Sequence, residues 1–280
     1  MKIKILSDST CDLSREQLNA NDITLFPLTV VKNDAAFKDG VDIHPADIFA
    51  HVAAGGALCS TSAGSVGEYA DLFEKYASDY DAVIHINLGS GFSSSYQNAC
   101  VAASDFDNVY CIDSKNLSTG QGFVVLKACE LARSGMEVEK IVEALNAMVP
   151  KVESSFLVDK LDYLVKGGRC SSAAALGANL LNLKPCIEVK DGKMSVGKKY
   201  RGNYVKCLGS YAKERLADRE DIDRDTVFIT WTQVSEDSLT AVRDAVHTHG
   251  SFANVYESIA GSTISCHCGP GTLGVLFIRK

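Results

Sequence analysis

Apolar and polar positions follow two different patterns along this chain, and the first half alternates short apolar runs with segments of helical periodicity. Four apolar runs predict strands: Lys2–Leu6, Ile23–Val31, Ala82–Leu88 and Val109–Ile112. Strands that alternate with helices indicate right-handed crossovers and a parallel sheet. The first half is therefore expected to form an α/β unit.

The helix predicted over Ser65–Ser78 has the clearest signal. Ser65 and Glu68 match a capping box, and the apolar face that follows is made of Tyr69, Leu72, Phe73 and Tyr76. Helical segments are also predicted at Ser14–Asn19 and Phe92–Ser104. Two longer helices are predicted to end near Gly135 and before Pro150.

Beyond Pro150 the pattern changes to one that includes an antiparallel element. Asp191-Gly192 separates the apolar segments Cys186–Lys190 and Lys193–Val196, which predicts a hairpin. Further strands are predicted at Ser154–Val158, Val227–Thr232 and Gly271–Ile278, and helices near Ser172–Leu181, Val205–Asp218 and Ser235–Thr248. We predict an α/β protein with an N-terminal parallel-sheet domain (1–150), a C-terminal mixed α+β domain (151–280) and a ligand between them.

The amino-acid composition argues against several classes of protein. The 280 residues are 46% apolar, yet no apolar run approaches the ~20 residues that span a bilayer. The amino terminus lacks the apolar stretch of a signal peptide, so a cytoplasmic location is expected. The ten cysteines include no CxxC pair and are expected to be reduced and buried, with no metal site. A net charge of −7 argues against nucleic acid as a partner.

The stretch Gly89–Ser95 follows an apolar strand and precedes a predicted helix. Backbone N–H groups at a helix start and the hydroxyls of Ser93, Ser94 and Ser95 favour an anion. The glycine spacing also resembles a dinucleotide fingerprint, with Asp113 where a ribose-binding acid would lie, although Ser94 replaces the third glycine. A nicotinamide-dependent enzyme that uses Gly89 and Gly91 is therefore an alternative.

Other polar residues lie in positions that suit a ligand. Ser60–Ser62 supplies hydroxyls before the capped helix, and Arg169 and Arg201 lie beside glycines in predicted turns. His267 is expected in a tight glycine-rich turn. A hydrolase that uses Ser93, His267 and Asp8 as a triad is a second alternative, but the chain has no G-x-S-x-G nucleophile elbow.

Together these motifs resemble the DegV family of bacterial fatty-acid-binding proteins. The matching stretches, in family order, are Ser7–Asp12, Thr61-Ser62, Phe92–Ala99, Ile112–Ser114, Lys166–Arg169, Arg201 and His267–Gly271. Two departures are Ala63-Gly64 after Thr61-Ser62, where the family usually has Gln-Pro, and Phe92–Ser95, where it usually has Leu-Ser-Gly-Thr. Hydroxyls remain at Ser93 and Ser95.

The resemblance implies a binding protein and not an enzyme, with no cofactor apart from its ligand. A long-chain fatty acid would lie between two α/β domains with its carboxylate in a polar recess. Thr61 and Ser93, with the adjacent Ser62 and Ser94, would contact the carboxylate, while Arg169, Arg201 and His267 would supply or organise positive charge. A separate fatty acid kinase would phosphorylate the carboxylate, and the protein would contact membranes only transiently for lipid exchange.

Overall fold

The computed structural model describes residues 1–174 and 183–280. Its first sheet contains four parallel strands: β1 (Ile3–Asp8), β2 (Thr24–Phe26), β6 (Ala82–Asn87) and β7 (Val109–Asp113). Their order is β2-β1-β6-β7. Every residue of β6 is buried, as a strand covered on both faces requires. The prediction of an N-terminal parallel sheet is confirmed.

Six helices accompany the first half of the chain: α1 (Arg15–Ala20), α2 (Pro45–Ala53), α3 (Val66–Ala77), α4 (Ser95–Ala103), α5 (Thr119–Arg133) and α6 (Val138–Met148). Helices α3 and α4 pack on one face of the first sheet, and α5 and α6 pack on the other. Ser65 caps α3 through the predicted box with Glu68. Helix α4 begins at Ser95 and not at Phe92, so Ser93 and Ser94 lie in the loop before it.

A small antiparallel sheet was not predicted. Its strands, in the order β4-β3-β5, are β3 (Thr29–Lys32), β4 (Ala35–Lys38) and β5 (Ser60–Ser62). The predicted strand Ile23–Val31 is therefore two strands, β2 and β3, because Pro27 lies between them and lacks the N–H that a strand donates. Asn33 and Asp34, both with positive φ, form the two-residue turn between β3 and β4.

The second sheet has six strands: β8 (Val152–Val158), β9 (Leu183–Lys190), β10 (Lys193–Arg201), β11 (Ile222–Trp231), β12 (Asn254–Ile259) and β13 (Thr272–Arg279). Their order is β10-β9-β8-β13-β11-β12, and only the β11–β12 pair is parallel. The predicted hairpin is present, with Asp191 and Gly192 both at positive φ. The prediction of a mixed C-terminal sheet is confirmed.

Five helices are described in the second half: α7 (Asp162–Gly167), α8 (Ser171–Ala174), α9 (Tyr204–Leu216), α10 (Glu236–Gly250) and α11 (Ser262–Cys268). Most of the predicted helix Ser172–Leu181 lies outside the described residues. The glycine-rich turn predicted around His267 is instead the last turn of α11. None of the helices within residues 1–174 and 183–280 is long and apolar enough to cross a membrane.

Helix α11 joins the two halves of the chain. It packs against α2, β3 and β5, so that Cys266 shares an apolar cluster with Val30, Ile48 and Phe49. A second cluster also combines residues of both halves. The division of the chain at residue 150 stays a prediction.

Candidate functional site

A cavity of about 440 Å³ lies where the carboxyl end of the first sheet meets helix α11. This is the edge of a parallel sheet at which α/β proteins collect ligands. Its lining contains two kinds of residue. The polar ones are Thr61, Ser62, Ser65, Ser93, Ser94, Asn98, Arg169, Thr263 and His267; the apolar ones are Leu28, Ala63, Leu88, Phe92, Leu117, Met194, Ile264 and Cys268.

The polar part of the cavity is organised around one contact between β5 and α11. Thr61 Oγ1 lies 2.7 Å from His267 Nε2. Thr61 is held by pairing with Val30 of β3, and His267 is the second-last residue of α11. Residues 206 positions apart in sequence thus share a hydrogen bond that no sequence pattern shows.

The state of His267 follows from its surroundings. Burial, together with the nearby charge of Arg169, lowers the pKa of His267 to about 4, so the imidazole is neutral near pH 7. Its Nδ1 atom is buried against Gly167 without a hydrogen-bond partner. A buried N–H without an acceptor costs about 1–3 kcal/mol, which favours the tautomer with the proton on Nε2. Nε2 then donates to Thr61 Oγ1 and leaves the threonine hydroxyl proton free to point into the cavity.

Two aspartate side chains from the first half hold the amino end of α11. Asp12 accepts from the backbone N–H of Gly261 at 2.9 Å, and Asp39 accepts from those of Ser262 and Thr263 at 2.8 and 3.2 Å. These are N–H groups that a helix start leaves without partners inside the helix. Because α11 carries Thr263, Ile264 and His267 into the cavity, the two aspartates position one wall of it.

The serine loop before α4 supplies the second set of hydroxyls. Ser93 Oγ accepts from the backbone N–H of Ser95 at 3.1 Å and lies 2.9 Å from Ser95 Oγ. Asn98, on the first turns of α4, donates to the carbonyl of Gly64 at 2.7 Å and so ties this loop region to the segment after Thr61. The two hydroxyl-bearing stretches predicted from sequence are therefore brought to one cavity.

Arg169 supplies a cation where the cavity meets solvent. Its guanidinium donates to the carbonyls of Gly167 at 2.8 Å and Phe92 at 3.4 Å, and its side chain is exposed. It therefore bridges the end of α7 and the loop that precedes α4. A partner anion at this position would remain in contact with water, which limits the desolvation cost of the ion pair.

One of the predicted residues, Arg201, has a different position from that expected, and a second, Ser62, lies at the cavity with its hydroxyl turned to the protein backbone. Arg201 is the last residue of β10 and not part of a turn, is paired with Leu183 and exposed, and is not among the residues that line the cavity in the part of the chain described. Ser62 is at the cavity, but its hydroxyl donates to the neighbouring Ala63 carbonyl at 3.3 Å. Thr61 therefore has the better placed hydroxyl of this pair.

The apolar side of the cavity continues toward the second sheet. A small cavity of about 30 Å³ shares Leu117, Ile264 and Cys268 with the larger one, and Phe156 and Leu276 are among its other lining residues. The exposed surface inside it is almost wholly apolar. The larger cavity, with its hydroxyls and arginine, is therefore separated only by shared lining residues from a second space whose exposed surface is apolar.

The serine hydrolase alternative fails on geometry. His267 Nε2 contacts Thr61 and not Ser93, whose hydroxyl bonds within its own loop. Asp8 is fully buried and accepts from Tyr69, His85 and the backbone N–H of Leu88, at 2.8–3.0 Å. The three side chains therefore do not form the nucleophile–base–acid sequence that acyl transfer requires.

The nicotinamide alternative is not supported, because other backbone segments of the protein pack against the glycines of the loop that the cofactor would use. A Cβ atom at Gly91 would lie 2.0 Å from the carbonyl oxygen of Gly192, and one at Gly89 would lie 2.8 Å from the backbone of Lys115 and Asn116. Asp113 accepts from Ser90 N at 3.0 Å and Ser90 Oγ at 2.6 Å. The glycines serve close packing of protein backbone, and the acid that would hold a ribose is engaged by the loop.

The whole chain is similar to one family of known proteins. Residues 2–280 match the family model described as "Uncharacterised protein, DegV family". The chain belongs to the DegV family. A DegV domain-containing protein of Clostridium acetobutylicum is 33% identical over 100% of this chain and 99% of its own length. Another, from Deinococcus radiodurans, is 33% identical over 98% of each chain.

Solved structures, two of them described as DegV proteins, share the whole fold. A DegV family protein of Thermus thermophilus, described for its fatty acid binding, aligns with a TM-score of 0.87 at 27% identity over 100% of both chains. A stearic acid-binding protein of Eubacterium ventriosum aligns with a TM-score of 0.84 at 28% identity, over 99% of this chain and 98% of its own. DegV of Bacillus subtilis, a fatty acid binding protein, gives 0.82 at 28% identity over 100% of both chains.

Sequence reasoning missed several residues of this DegV site. Leu28, Asn98, Met194, Thr263 and Ile264 line the cavity but were not predicted to do so from the sequence. Asn98 had the best chance of recognition, since it lies within the stretch Phe92–Ala99. The acids Asp12 and Asp39 were likewise not recognised as anchors of α11, because the helix itself was not predicted. In the described part of the chain, no group of His, Cys, Asp or Glu is arranged to hold a metal ion.

Proposed function

We propose that this protein binds one long-chain fatty acid in the 440 Å³ cavity, with the carboxylate at Thr61 and Ser93 and the tail among the apolar residues. The observation that carries the proposal is the Thr61–His267 contact in a cavity that has hydroxyls and an arginine in one part of its lining and leucine, phenylalanine, methionine and isoleucine side chains in the other. The volume lies within the ~300–1,000 Å³ typical of ligand pockets. The DegV structures that are described for fatty acid binding support the ligand class.

The head group would be held by hydroxyls and not by a buried imidazolium. A carboxylate taken from water needs hydrogen bonds or a partner charge. Thr61 offers a hydroxyl proton because His267 fills its acceptor position, and Ser93 offers a second hydroxyl. Arg169 adds positive charge at the rim, and Ser62 and Ser94 line the same recess. Donors to a charged acceptor give the stronger class of hydrogen bond.

Burial of the acyl tail would provide most of the favourable free energy of binding. A C16–C18 acid has about 15 methylenes, each worth ~0.8 kcal/mol on burial, for a gross gain on the order of 12 kcal/mol. Ordering the chain and desolvating the head reduce that gain. The smaller apolar cavity beyond Leu117 and Ile264 is where the end of the tail would lie if the lining moves to join the two spaces.

The finer part of the proposal is that a separate kinase phosphorylates the bound acid and that this protein is not itself an enzyme. The sequence has no G-x-x-x-x-G-K-[ST] loop for nucleotide phosphates. A carboxylate held at Thr61 would lie beside exposed Arg169, where a second protein could reach it. Arg201 is exposed and outside the cavity, so its proposed role is contact with that partner and not with the buried acid. Lipid exchange would need only transient contact with a membrane.

Extraction of the purified protein tests the ligand directly. Native mass spectrometry should show about one fatty acid per chain, and organic extraction should release C14–C18 acids. Added oleate should raise the unfolding temperature of delipidated protein, whereas butyrate, which shares only the head group, should not. An apo mass together with no stabilisation by any C14–C18 acid would refute the proposal. Stabilisation by NAD but not oleate would favour the dinucleotide alternative.

A further inference from the structure

Strand β12 forms one outer edge of the six-stranded sheet. Within residues 1–174 and 183–280 it pairs only with β11, in a continuous parallel register. Eight large apolar side chains are exposed in the described part of the chain. Three of them belong to this one strand: Val255, Tyr256 and Ile259, with 48%, 40% and 63% of their surface exposed. The edge therefore presents an apolar surface to solvent.

The backbone of β12 also offers hydrogen-bonding groups at this edge. The N–H of Ala260, directly after the strand, donates to the carbonyl of Trp231 at 2.8 Å, and Trp231 lies opposite Ile259. In a parallel ladder, alternate residues of a strand turn their N–H and C=O groups toward the neighbouring strand. Val255, Glu257 and Ile259 therefore direct these groups away from β11. An edge with such groups is complementary to another β-strand.

The opposite edge of the same sheet is protected against strand pairing, whereas β12 is not. The register of β10 with β9 shifts near its middle, and β10 carries four basic residues: Lys193, Lys198, Lys199 and Arg201. Basic side chains and bulges are common devices that prevent edge-to-edge association. Strand β12 has no lysine, proline or register shift. Its single charged side chain, Glu257, is bonded by Arg243 of α10 at 2.6 and 2.8 Å.

We propose that β12 is the interface of a symmetric dimer, in which it pairs antiparallel with β12 of a second copy of this chain. A two-fold axis at Glu257 places Val255 of each copy opposite Ile259 of the other. The two most exposed side chains of the strand then cover each other. Three outward residues on each copy, each with one donor and one acceptor, allow about six main-chain hydrogen bonds.

The charges near the proposed axis favour a second copy as the partner. Glu257 of the two copies would meet there, and each brings its own Arg243 guanidinium bonded to both carboxylate oxygens. Arg243 is itself fixed by a further bond to Glu236. The two arginines offset the repulsion that two facing glutamates would otherwise cause. One strand therefore supplies complementary groups for both sides of the interface, as an isologous contact requires.

The dimer proposal is independent of the fatty acid proposal. None of the six residues of β12 is among those that line the 440 Å³ cavity. Met194, which does line it, lies on β10 at the opposite edge of the sheet. Pairing through β12 would therefore leave the cavity and Arg169 uncovered.

Sedimentation velocity of the wild type tests the dimer. A single strand pair is a small interface, so we expect association to depend on concentration between about 1 and about 200 µM. The mass should rise from 30.0 kDa toward twice that value. Hydrogen exchange at the two ends of this range locates the contact, because the amides of β12 should gain protection and those of β10 should not. A wild type that stays monomeric, with the edge bare or taken by another protein, would overturn the inference. A dimer without added protection of β12 would do the same.

Two variants block the proposed contact in different ways. Val255→Pro removes an outward N–H and no bond to β11, which an edge strand tolerates. Ile259→Lys places a charge where Val255 of the other copy would pack. Both should remain monomeric over the whole range, with circular dichroism as a check of folding. Val101→Lys, at an exposed valine of α4, is the control and should dimerise as the wild type does. Dimers of folded Ile259→Lys would refute the assigned interface, even where Val255→Pro fails to fold.

Discussion

At the scale of single residues, the proposed site depends on which atom donates in the hydrogen bond between Thr61 and His267. His267 donates to Thr61 because the alternative tautomer would bury an N–H against Gly167 without an acceptor. The threonine hydroxyl then points its own proton at the cavity. A neutral histidine therefore acts through its neighbour, whereas the resemblance implied that His267, with Arg169 and Arg201, would supply or organise positive charge.

Removing either proposed head-group hydroxyl should weaken fatty acid binding. Thr61→Val and Ser93→Ala should each reduce oleate affinity by roughly 1–3 kcal/mol, since a charged acceptor loses a donor. Displacement of a fluorescent fatty acid measures the effect. Thr61→Ser, which keeps the hydroxyl, and Ser104→Ala, which changes an exposed serine after the other end of α4, are the controls. Wild-type affinity in both test variants would place the head group elsewhere.

The buried neutral state of His267 should make the stability of the delipidated protein depend on pH. Its folded-state pKa of about 4 lies below the usual 6.5, so the unfolded chain binds more protons between these values. The free energy of unfolding therefore falls as pH drops through this window. Relative to His267→Gln, the wild type should lose about 2 kcal/mol more between pH 7 and pH 5, as urea denaturation would show.

Other titrating groups are common to both proteins in that comparison. Burial raises the pKa of Asp12 from 3.8 to about 8. Between pH 3.8 and pH 8 the folded protein therefore binds more protons at this carboxyl than the unfolded chain does. The contribution of Asp12 to the free energy of unfolding consequently rises as the pH falls. Its contribution cancels between wild type and variant. Equal pH dependence of wild type and His267→Gln would contradict the assigned state of His267.

At the scale of elements, helix α11 links the anchoring acids to the cavity. At the amino end of this seven-residue helix, two backbone N–H groups donate to Asp39, and at its carboxyl end lies His267. A helix this short gains little from its own backbone hydrogen bonds. Its position therefore depends on Asp12 and Asp39 and on packing against α2 and β3.

Loss of the Asp39 carboxylate should affect both stability and binding. Asp39→Ala removes the acceptor of two α11 amides and of the Ser9 hydroxyl, and should cost about 1–2 kcal/mol of unfolding free energy. Oleate affinity should also fall, because α11 carries part of the cavity wall. Asp47→Ala removes a capping carboxylate from α2 and should reduce stability while sparing affinity. Equal affinity of Asp39→Ala and wild type would show that α11 does not need this anchor.

At the scale of the whole molecule, two sheets of different type meet around one cavity. The parallel sheet brings Leu88 and Leu117 to its carboxyl edge, while the second half contributes Met194 and α11. Neither half lines the cavity alone. Binding should therefore stabilise the contact between the halves, and ligand concentration should raise the apparent stability of the folded chain.

The intact chain should not phosphorylate a fatty acid by itself. Incubation with radiolabelled ATP, magnesium and palmitate should yield no acyl phosphate until a fatty acid kinase is added, since this sequence has no phosphate-binding loop. His267→Ala and Arg201→Ala should both lower acyl-phosphate formation in the complete mixture. Of the two, Arg201→Ala should leave oleate affinity unchanged, because Arg201 lies outside the cavity lining. Turnover by the purified chain alone would show it to be an enzyme.

The sequence by itself determined the elements whose signals are local. The capping box of Ser65 and Glu68, the turn at Asp191-Gly192 and the apolar run of β6 each specify a conformation within a few residues. The motif order also indicated the family and the hydroxyl-bearing stretches around Thr61 and Ser93. Local propensity and periodicity are sufficient for such features because their determinants are neighbours in the chain.

Only the tertiary structure decided how those stretches come together. Helix α11, strand β12 and the β3–β5 sheet are short or partly exposed, so they lack a strong periodic signal and depend on distant contacts. The Thr61–His267 bond, the hold of Asp12 and Asp39 on α11, and the exclusion of Arg201 from the cavity lining all involve residues far apart in sequence. Side-chain pKa values and tautomers follow from burial, and burial is a property of the packed chain and not of its sequence neighbours.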